Sequence, residues 1–502
     1  MAIINSVISW LMKKRIHQIE LFIKYPYDVQ SELLEKLLNS ARDTEWGKKY
    51  NFKNITNYEE YKRTVPLSDY PKLKPYINRL RKGEQNILWH SDIKWFAKSS
   101  GTTADKSKFI PVSTEALEEC HFKGGKDLIS IYCNNNPNTI MFDGKGLALG
   151  GSHQINDINN SSYYGDLSAI IIQNLPWWAE FMRTPHLSIA LMDEWEAKIE
   201  RMAETTIKED VTSISGVPSW CLLLLKRISE KTGKSDISEI WPNLELFTHG
   251  GVNFTPYREQ FKKLIPNPKM NYLETYSASE GFFGIQDRND SDDMLLMLDY
   301  GVFYEFIPSS DYNKENPQIL SLEQVELNKN YAIVISTNAG LWRYIIGDTI
   351  KFTSLNPHRI KITGRTVSFI NAFGEELIID NAVRALAIAC EKSGASIREY
   401  TAAPVYFKDK GSAAHEWLIE FETEPRSIEY FTEVLDNALK SLNSDYEAKR
   451  YQNMILRQPI IRIVPHDTFF NWLKTKKKLG GQHKVPRLAN DRHYVDEILK
   501  IL

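Results

Sequence analysis

Apolar residues recur at three- and four-residue intervals in four stretches, predicting helices over Asp28–Ala41, Thr114–Asn134, Met192–Thr206 and Val217–Thr232. The last of these carries the apolar cluster Leu222–Leu225. Shorter runs rich in β-branched and aromatic residues predict strands at Lys94–Ala97, Ala169–Ile172, Leu244–Thr248, Met294–Phe306 and Tyr331–Thr337. Helices and strands alternate through the first two-thirds of the chain, which favours an α/β body. From about Lys361 the texture changes. A β-rich run leads into Phe373-Gly374, followed by a predicted helix Glu376–Ser393, strands Ala402–Phe407 and His415–Glu422, and a helix Ser427–Leu442. This is a compact α+β pattern of about 130 residues, a common domain size. We place the boundary near Ile370–Gly374, where glycine lets the backbone swivel. The expected domains are therefore 1–370 and 371–502.

The segment Met1–Tyr25 starts apolar and turns basic at Lys13, Lys14 and Arg15. A secretory signal has the opposite order, and the apolar run is too short to span a bilayer. It reads as an amphipathic helix packed on the body, with contact at a membrane surface as the alternative and no stable insertion. The 502 residues, 42% of them hydrophobic, supply a large core without metal or disulfide staples. Lys and Arg (62) nearly balance Asp and Glu (64), so the chain lacks the basic footprint of a general nucleic-acid binder. A local basic groove stays open. Cys120, Cys133, Cys221 and Cys390 form no C-x-x-C pair, which argues against a zinc site or redox dithiol and for a reducing, cytoplasmic setting. There is no internal repeat, so solenoids and propellers are excluded.

Four stretches bear on chemistry. In Lys98-Ser-Ser-Gly-Thr-Thr-Ala-Asp-Lys-Ser-Lys108, a run of hydroxyls and glycine follows the apolar strand Trp95-Phe96-Ala97. Such a loop lets several donors converge on phosphate oxygens, with Lys106 and Lys108 to balance charge; it is equally the composition of an ordinary turn. It is not a Walker A loop, and neither is Gly233-Lys234-Ser235, where Ile228 stands in the place of the first glycine. The second stretch, Asn271-Tyr-Leu-Glu-Thr-Tyr-Ser-Ala-Ser-Glu280, ends in a carboxylate that suits Mg²⁺ beside phosphates or, alternatively, a cap. In Leu341-Trp-Arg-Tyr-Ile-Ile-Gly-Asp348 the aspartate can accept both hydroxyls of a ribose or can cap a turn. The fourth is Leu479-Gly-Gly-Gln-His-Lys-Val-Pro-Arg487. Here paired glycines and Pro486 flank Lys484, which can reach a developing negative charge. The preceding Lys474, Lys476, Lys477 and Lys478 read as a solvated basic run.

The order of these stretches says more than any one of them. Hydroxyl/glycine loop, Tyr-Ser-Ala-Ser-Glu, Tyr-x-x-Gly-Asp, Gly-Arg and a C-terminal Gly-x-x-Lys together resemble the adenylate-forming ligase superfamily. More closely, the chain is similar to the Gretchen Hagen 3 (auxin-responsive promoter) family of acyl-acid amido synthetases. Supporting stretches are Ile240-Trp-Pro-Asn, Thr248-His-Gly-Gly to Tyr257, Ala339-Gly-Leu-Trp-Arg-Tyr and Gln482-His-Lys-Val-Pro-Arg-Leu.

The resemblance implies a luciferase-like two-domain architecture, with a large N-terminal α/β domain, a small mobile C-terminal α+β domain and the active site between them. It implies ATP and Mg²⁺ as cofactors and a carboxylic acid and an amine, an amino acid, as substrates. Ser99, Ser100, Gly101, Thr102 and Thr103 would form the phosphate loop. Gly250, Gly251, Tyr276 and Ser277 would line the adenine, Glu280 would hold Mg²⁺, and Asp348 would bind the ribose with Arg365 nearby. Lys484 would stabilise the adenylation transition state. Two departures concern the substrate. Glu375 stands in Asn371-Ala-Phe-Gly-Glu-Glu where the plant hinge has lysine, and the plant family's paired arginines after the phosphate loop are absent. Lys123 and Lys126 lie in that region and become the candidates for the acyl carboxylate. Two alternatives remain at this stage: an acyl-CoA synthetase sharing the adenylation step, and a nucleotide-binding protein that keeps the fold without catalysis.

Overall fold

The computed structural model describes residues 15–99, 108–150, 156–159, 162–175, 180–192, 194–251, 254, 257–312, 314–366, 369–370, 375, 377–406, 413–443, 446–447, 450, 456–476, 485–489 and 491–502. Of the expected N-terminal helix, residues 15–24 are helical, with Ile19 and Phe22 buried. Residues 1–14 lie outside the described residues. The helix Pro26–Ala41 starts with proline at its first position, where a missing N–H costs nothing, and buries Leu34, Leu37, Leu38 and Ala41 along one stripe. Tyr70–Arg81 is capped by Asp69, whose carboxylate accepts from the Lys72 N–H at 3.0 Å.

The strands follow in chain order: β1 (Trp95–Ser99), β2 (Lys108–Val112), β3 (Lys145–Leu149), β4 (Asn156–Asn159), β5 (Ser162–Gly165), β6 (Arg183–Thr184) and β7 (Val211–Gly216). Next come β8 (Leu246–Gly250), β9 (Asn271–Ala278), β10 (Gly281–Ile285), β11 (Met294–Leu296), β12 (Val302–Pro308), β13 (Asn330–Thr337), β14 (Tyr344–Leu355) and β15 (His358–Arg365). The chain closes with β16 (Phe369–Ile370), β17 (Leu377–Ile378), β18 (Ser396–Tyr406), β19 (Ala413–Thr423) and β20 (Ile460–Ile463). An eleven-stranded sheet runs β12-β13-β14-β15-β11-β10-β9-β8-β7-β3-β6. Its β6-β3-β7-β8-β9 portion is parallel, and antiparallel pairing takes over at β9-β10-β11-β15. A four-stranded sheet β2-β1-β5-β4 stands apart from it. The protein is thus mixed α/β, as its alternating pattern implies.

Three elements depart from the sequence pattern. Ala169–Ile172, expected as a strand, lies in the helix Leu167–Gln173, where Leu167, Ala169 and Ile170 are buried. β-branched residues favour strands only when a pleated surface receives them; here helical burial overrides that preference. Met294–Phe306 is two strands, interrupted at Gly301, whose φ of +70° suits glycine and whose missing Cβ leaves room for Asn338. The single helix expected over Thr114–Asn134 is a π-helical stretch, Ala116–Phe122, continuing into the α-helix Lys123–Asn135. Widened turns of this kind occur often at functional sites.

The chain divides into two compact units. The first comprises Met1–Val252, Gln260–Ile346 and Lys351–Lys361; the second comprises Asn253–Glu259, Gly347–Ile350 and Ile362–Leu502. In the first, Arg343 and Glu305 form an enclosed pair in which Nε donates to Oε2 and Nη2 to Oε1, both at 2.8 Å. Arg343 also donates to the Lys62 and Val65 carbonyls, so its charge is satisfied although water is excluded. In the second, β18-β19-β20 has a core on each face. On one face Ile397, Tyr400, Ala402, Trp417 and Ile419 pack with Phe431, Leu435 and Leu439, which recur every four residues along the helix Ile428–Leu442. On the other, Ala403 and Leu418 meet Phe469, Trp472, Val495 and Ile498.

Candidate functional site

In the first unit, the parallel strands β7, β8 and β9 bring their carboxyl ends side by side, the edge where open α/β sheets hold ligands. Gly250 ends β8 opposite Thr275 of β9, and a Cβ there would meet the Thr275 carbonyl oxygen at 2.5 Å. Gly251 comes next at φ +79°. No Cβ fits at Gly250, so bare backbone lies against β9 there, and the left-handed backbone at Gly251 favours glycine. Gly250 thereby lies against Thr275, the residue before Tyr276 and Ser277 on β9. Tyr276 is buried, its ring edge-to-face with Phe283 at 4.9 Å, while Ser277 on the opposite face is exposed. Glu280 occupies the two-residue turn between β9 and β10, flanked by the pair Ala278 and Gly281. Its half-buried carboxylate therefore stands at the same carboxyl edge.

Ser99 closes β1, but Ser100, Gly101, Thr102 and Thr103 lie outside the described residues. β1 and β2 pair antiparallel from Trp95 opposite Val112 to Ser99 opposite Lys108, so the described ends of that loop are adjacent. Lys123 stands at the start of the α-helix that continues the π-helical stretch. Its ammonium donates to the Asp299 carbonyl at 2.7 Å and to Asp299 Oδ2 at 2.9 Å. Arg15 joins the same cluster, bonding Asp127 at 2.6 Å and Asp299 at 3.0 Å, while the Tyr300 hydroxyl donates to Asp127 at 2.6 Å. Burial first, and then the Asp127 charge, hold the Tyr300 phenol well above its ordinary range. The charge of Lys123 is thus already matched by an aspartate 176 residues away, whereas Lys126, three residues on, is exposed.

In the second unit, Asp348 and Arg365 meet: Nε donates to Oδ1 at 2.7 Å. They sit on the adjacent strands β14 and β15, and the Thr366 N–H donates to the Gly347 carbonyl at 2.8 Å. Gly347 (φ +92°) lets β14 turn its aspartate toward that partner. Glu375 is fully buried, its Oε1 2.9 Å from His415 Nε2 on β19. The carboxylate standing where a hinge lysine was expected is therefore turned into the unit's own interior. Flanking it, Ile370 and Leu377 pair across β16 and β17 and are also buried; residues 371–374 lie outside the described residues.

Lys484 also lies outside the described residues, which resume at Val485. The segment from Val485 to Ala489 is tightly held. Pro486 and Leu488 bond to β18, and Arg487 meets Glu399, Tyr400 and Tyr257. No sequence pattern singles out Arg487 and Tyr257, although both fall inside the stretches that carry the resemblance; they are 230 residues apart, and no spacing rule joins them. Among the described residues no group of three or more His, Cys, Asp or Glu side chains is arranged to hold a metal ion. None of their helices is long and apolar enough to cross a membrane.

Comparison with known proteins finds three domain models matching in order: the GH3 family N-terminal domain over residues 15–270, the GH3 family central domain over 295–365, and the GH3 family C-terminal domain over 380–493. The chain is 23% identical to the indole-3-acetic acid-amido synthetase GH3.3 of Arabidopsis thaliana, covering 92% of this chain and 89% of that one. It is likewise 23% identical to the jasmonoyl-L-amino acid synthetase JAR6 of Nicotiana attenuata, covering 98% and 95%. Among solved structures it is similar to the GH3.15 acyl acid amido synthetase, with a TM-score of 0.79 at 15% identity over 97% of this chain and 95% of that one. At that identity the structural likeness speaks for the fold.

Proposed function

The chain belongs to the GH3 family, and from that premise we propose that it is an ATP-dependent acyl-acid amido synthetase joining a carboxylic acid to the amine of an amino acid. One observation carries the reading: the N-terminal, central and C-terminal family domains all match, in order, along one chain. The likeness to curated amido synthetases over nine-tenths of their lengths supports an amine as acceptor.

In the first half-reaction a carboxylate oxygen of the acid attacks the α-phosphorus of ATP. The bond to the bridging oxygen breaks, and pyrophosphate leaves as acyl-AMP forms. The protein's part is positioning and charge stabilisation. Gly250 and Gly251, with Tyr276 and Ser277 on the neighbouring strand, offer a surface suited to the flat adenine. Asp348, steadied by Arg365, accepts from the ribose hydroxyls, and the loop from Ser99 to Thr103 receives the phosphates. Glu280 would hold Mg²⁺, which supplies charge neutralisation of the phosphates when bound. Lys484 carries a fixed positive charge to the pentavalent phosphorus. Lys126, exposed on its helix, is our candidate for the acyl carboxylate; Lys123 would have to leave Asp299 to share that role. In the second half-reaction the free amine attacks the acyl carbon, AMP leaves with the carboxyl oxygen it gained, and the ammonium proton is lost to water.

The test is a product analysis. A panel of carboxylic acids is scored by pyrophosphate release, and the preferred acid is incubated with ATP, mixed amino acids and coenzyme A together. The expected product is an N-acyl amino acid. A dominant acyl-CoA thioester overturns the amine acceptor, and absence of pyrophosphate release with every acid overturns adenylation itself.

A further inference from the structure

Resting on the assignment of Lys484 to adenylation, we propose that Arg487 is a positioning residue for that lysine, locking the register of the segment directly after it. Two residues, Val485 and Pro486, separate the two, so their Cα atoms, three peptide steps apart, are at most about 11 Å from each other. Where the chain is fixed at Arg487 therefore limits where the Lys484 ammonium can go.

Residues 485–489 are bound to β18 from several directions. The Ala402 N–H donates to the Arg487 carbonyl at 2.9 Å, and the Ala489 N–H donates to the Ala402 carbonyl at 3.0 Å, forming a parallel bridge between Ala402 and Leu488. The Thr401 hydroxyl donates to the Pro486 carbonyl at 2.6 Å. Val485 is buried with Phe469 and Trp472, whereas Leu488 is buried in the opposite core with Tyr400 and Trp417. A slip of one residue would exchange these two environments, so the segment has one good register.

Arg487 adds what backbone bonds and burial alone lack. Its Nη1 is ion-paired with Glu399, its Nη2 donates to the Tyr257 hydroxyl at 3.1 Å, and its guanidinium lies over the Tyr400 ring, 4.6 Å from the centroid. Carboxylate, phenol and ring face each engage a different part of one planar group, a combination the lysine ammonium cannot reproduce. Glu399 and Tyr400 are the β18 residues just before Thr401 and Ala402, so side-chain and backbone anchors act on the same stretch. Tyr257 comes six residues after Gly251. Arg487 thus joins the chain after Lys484 to the chain after the glycine-ended strand β8. It touches no reacting atom in this scheme; its effect passes through the placement of Lys484, and a misplacement of about 1 Å at a charge-stabilising group costs roughly 10²-fold in rate.

The experiment separates the half-reactions in the full-length enzyme. Adenylation is read as acid-dependent pyrophosphate release with kcat and KM for ATP; aminolysis is read as single-turnover amide formation from supplied acyl-AMP. For Arg487→Gln the expected result is a roughly 10–100-fold lower kcat for pyrophosphate release, with KM for ATP and aminolysis of acyl-AMP each within about threefold of wild type. Arg487→Lys should fall close to Arg487→Gln. Tyr257→Phe, which removes one hydroxyl oxygen and keeps the ring, should show a smaller loss confined to adenylation and add nothing in the Arg487→Gln background. Should Arg487→Gln fail to fold, Tyr257→Phe and Thr401→Val carry the same test. Normal pyrophosphate release in these variants overturns the inference, as does an equal loss in both half-reactions with a falling Tm. Lys484→Ala keeps the two levels apart. If it retains adenylation, the assignment of Lys484 fails; if it loses adenylation while Arg487→Gln does not, only the present inference fails.

Discussion

The guanidinium of Arg365 holds the carboxylate of Asp348 by a 2.7 Å bond between Nε and Oδ1, across 17 residues and two adjacent strands. This changes how Asp348 is to be read. An aspartate that merely caps a turn accepts from nearby backbone N–H groups, whereas this one is oriented by an arginine from the next strand. An oriented carboxylate is what a ribose diol requires. Asp348→Asn should therefore raise KM for ATP by about 10–100-fold, the worth of hydrogen bonds to a charged acceptor, and lower kcat much less. Titration with a non-hydrolysable ATP analogue provides the check. Unchanged affinity would return the Asp348–Arg365 pair to a purely structural role.

Glu280→Gln keeps the shape of the turn between β9 and β10 and deletes the charge that Mg²⁺ needs. The Mg²⁺ concentration for half-maximal pyrophosphate release should rise about tenfold or more, with Tm unchanged, because a charged ligand is replaced by a neutral one. A normal Mg²⁺ titration would show that Glu280 serves the hairpin turn alone.

Removing the ammonium in Lys484→Ala should slow pyrophosphate release by roughly two orders of magnitude or more, the 2.7–4 kcal/mol of a lost charge-stabilising donor. Binding of ATP in the absence of turnover should change little. Near-normal release would leave Lys484 without a part in catalysis.

The sequence makes the local order of this protein legible, but not its distant contacts. The helices Pro26–Ala41, Trp195–Thr206 and Pro218–Thr232 are visible because their apolar residues repeat with helical period. Ala169–Ile172 misleads because three consecutive isoleucines carry strand propensity, while the burial that makes them helical comes from elsewhere in the chain. The clusters Arg15–Asp127–Asp299–Lys123 and Arg343–Glu305 join residues far apart in sequence, so no window of sequence contains them. The same holds at the candidate site. Asp348 and Arg365 each stand in a motif, but neither motif contains their contact; Lys123 stands out for its charge, and its aspartate partner is invisible. Glu375 marks a departure from the family hinge, and only the fold pairs it with His415 inside the second unit.

Two buried histidines give the stability of this protein a predictable dependence on pH. Burial alone pushes the imidazoles of His121 and His358 down to about 4, from an ordinary value of 6.5. His121 lies on the π-helical stretch; His358 is wedged edge-on between the rings of Tyr27 and Phe352, at 5.8 and 6.0 Å. Above about pH 8 both are neutral in the folded and unfolded chains and contribute no pH dependence. Below 6.5 the unfolded chain takes up protons that the folded chain refuses, so stability falls as pH falls. The loss is complete only below about 4, and amounts to about 3 kcal/mol per histidine. Asp436 acts in a lower window. Burial raises the Asp436 carboxyl, but hydrogen bonds from Arg450, Lys440 and Tyr446 outweigh it and hold the group below its ordinary value of 3.8. Its stabilisation is therefore present above that value and is lost only as pH falls further. Urea unfolding at pH 7, 6, 5 and 4.5 should show a steady decline in the midpoint for wild type. His358→Phe, which keeps an aromatic ring between Tyr27 and Phe352, and His121→Leu should each flatten the decline between pH 7 and about 5.5 by about half, and the double variant should nearly abolish it there. Below that, glutamates held under their ordinary 4.5, Glu416 and Glu497 among them, add their own loss. A decline of unchanged slope in the double variant would mean that other groups carry the acid sensitivity.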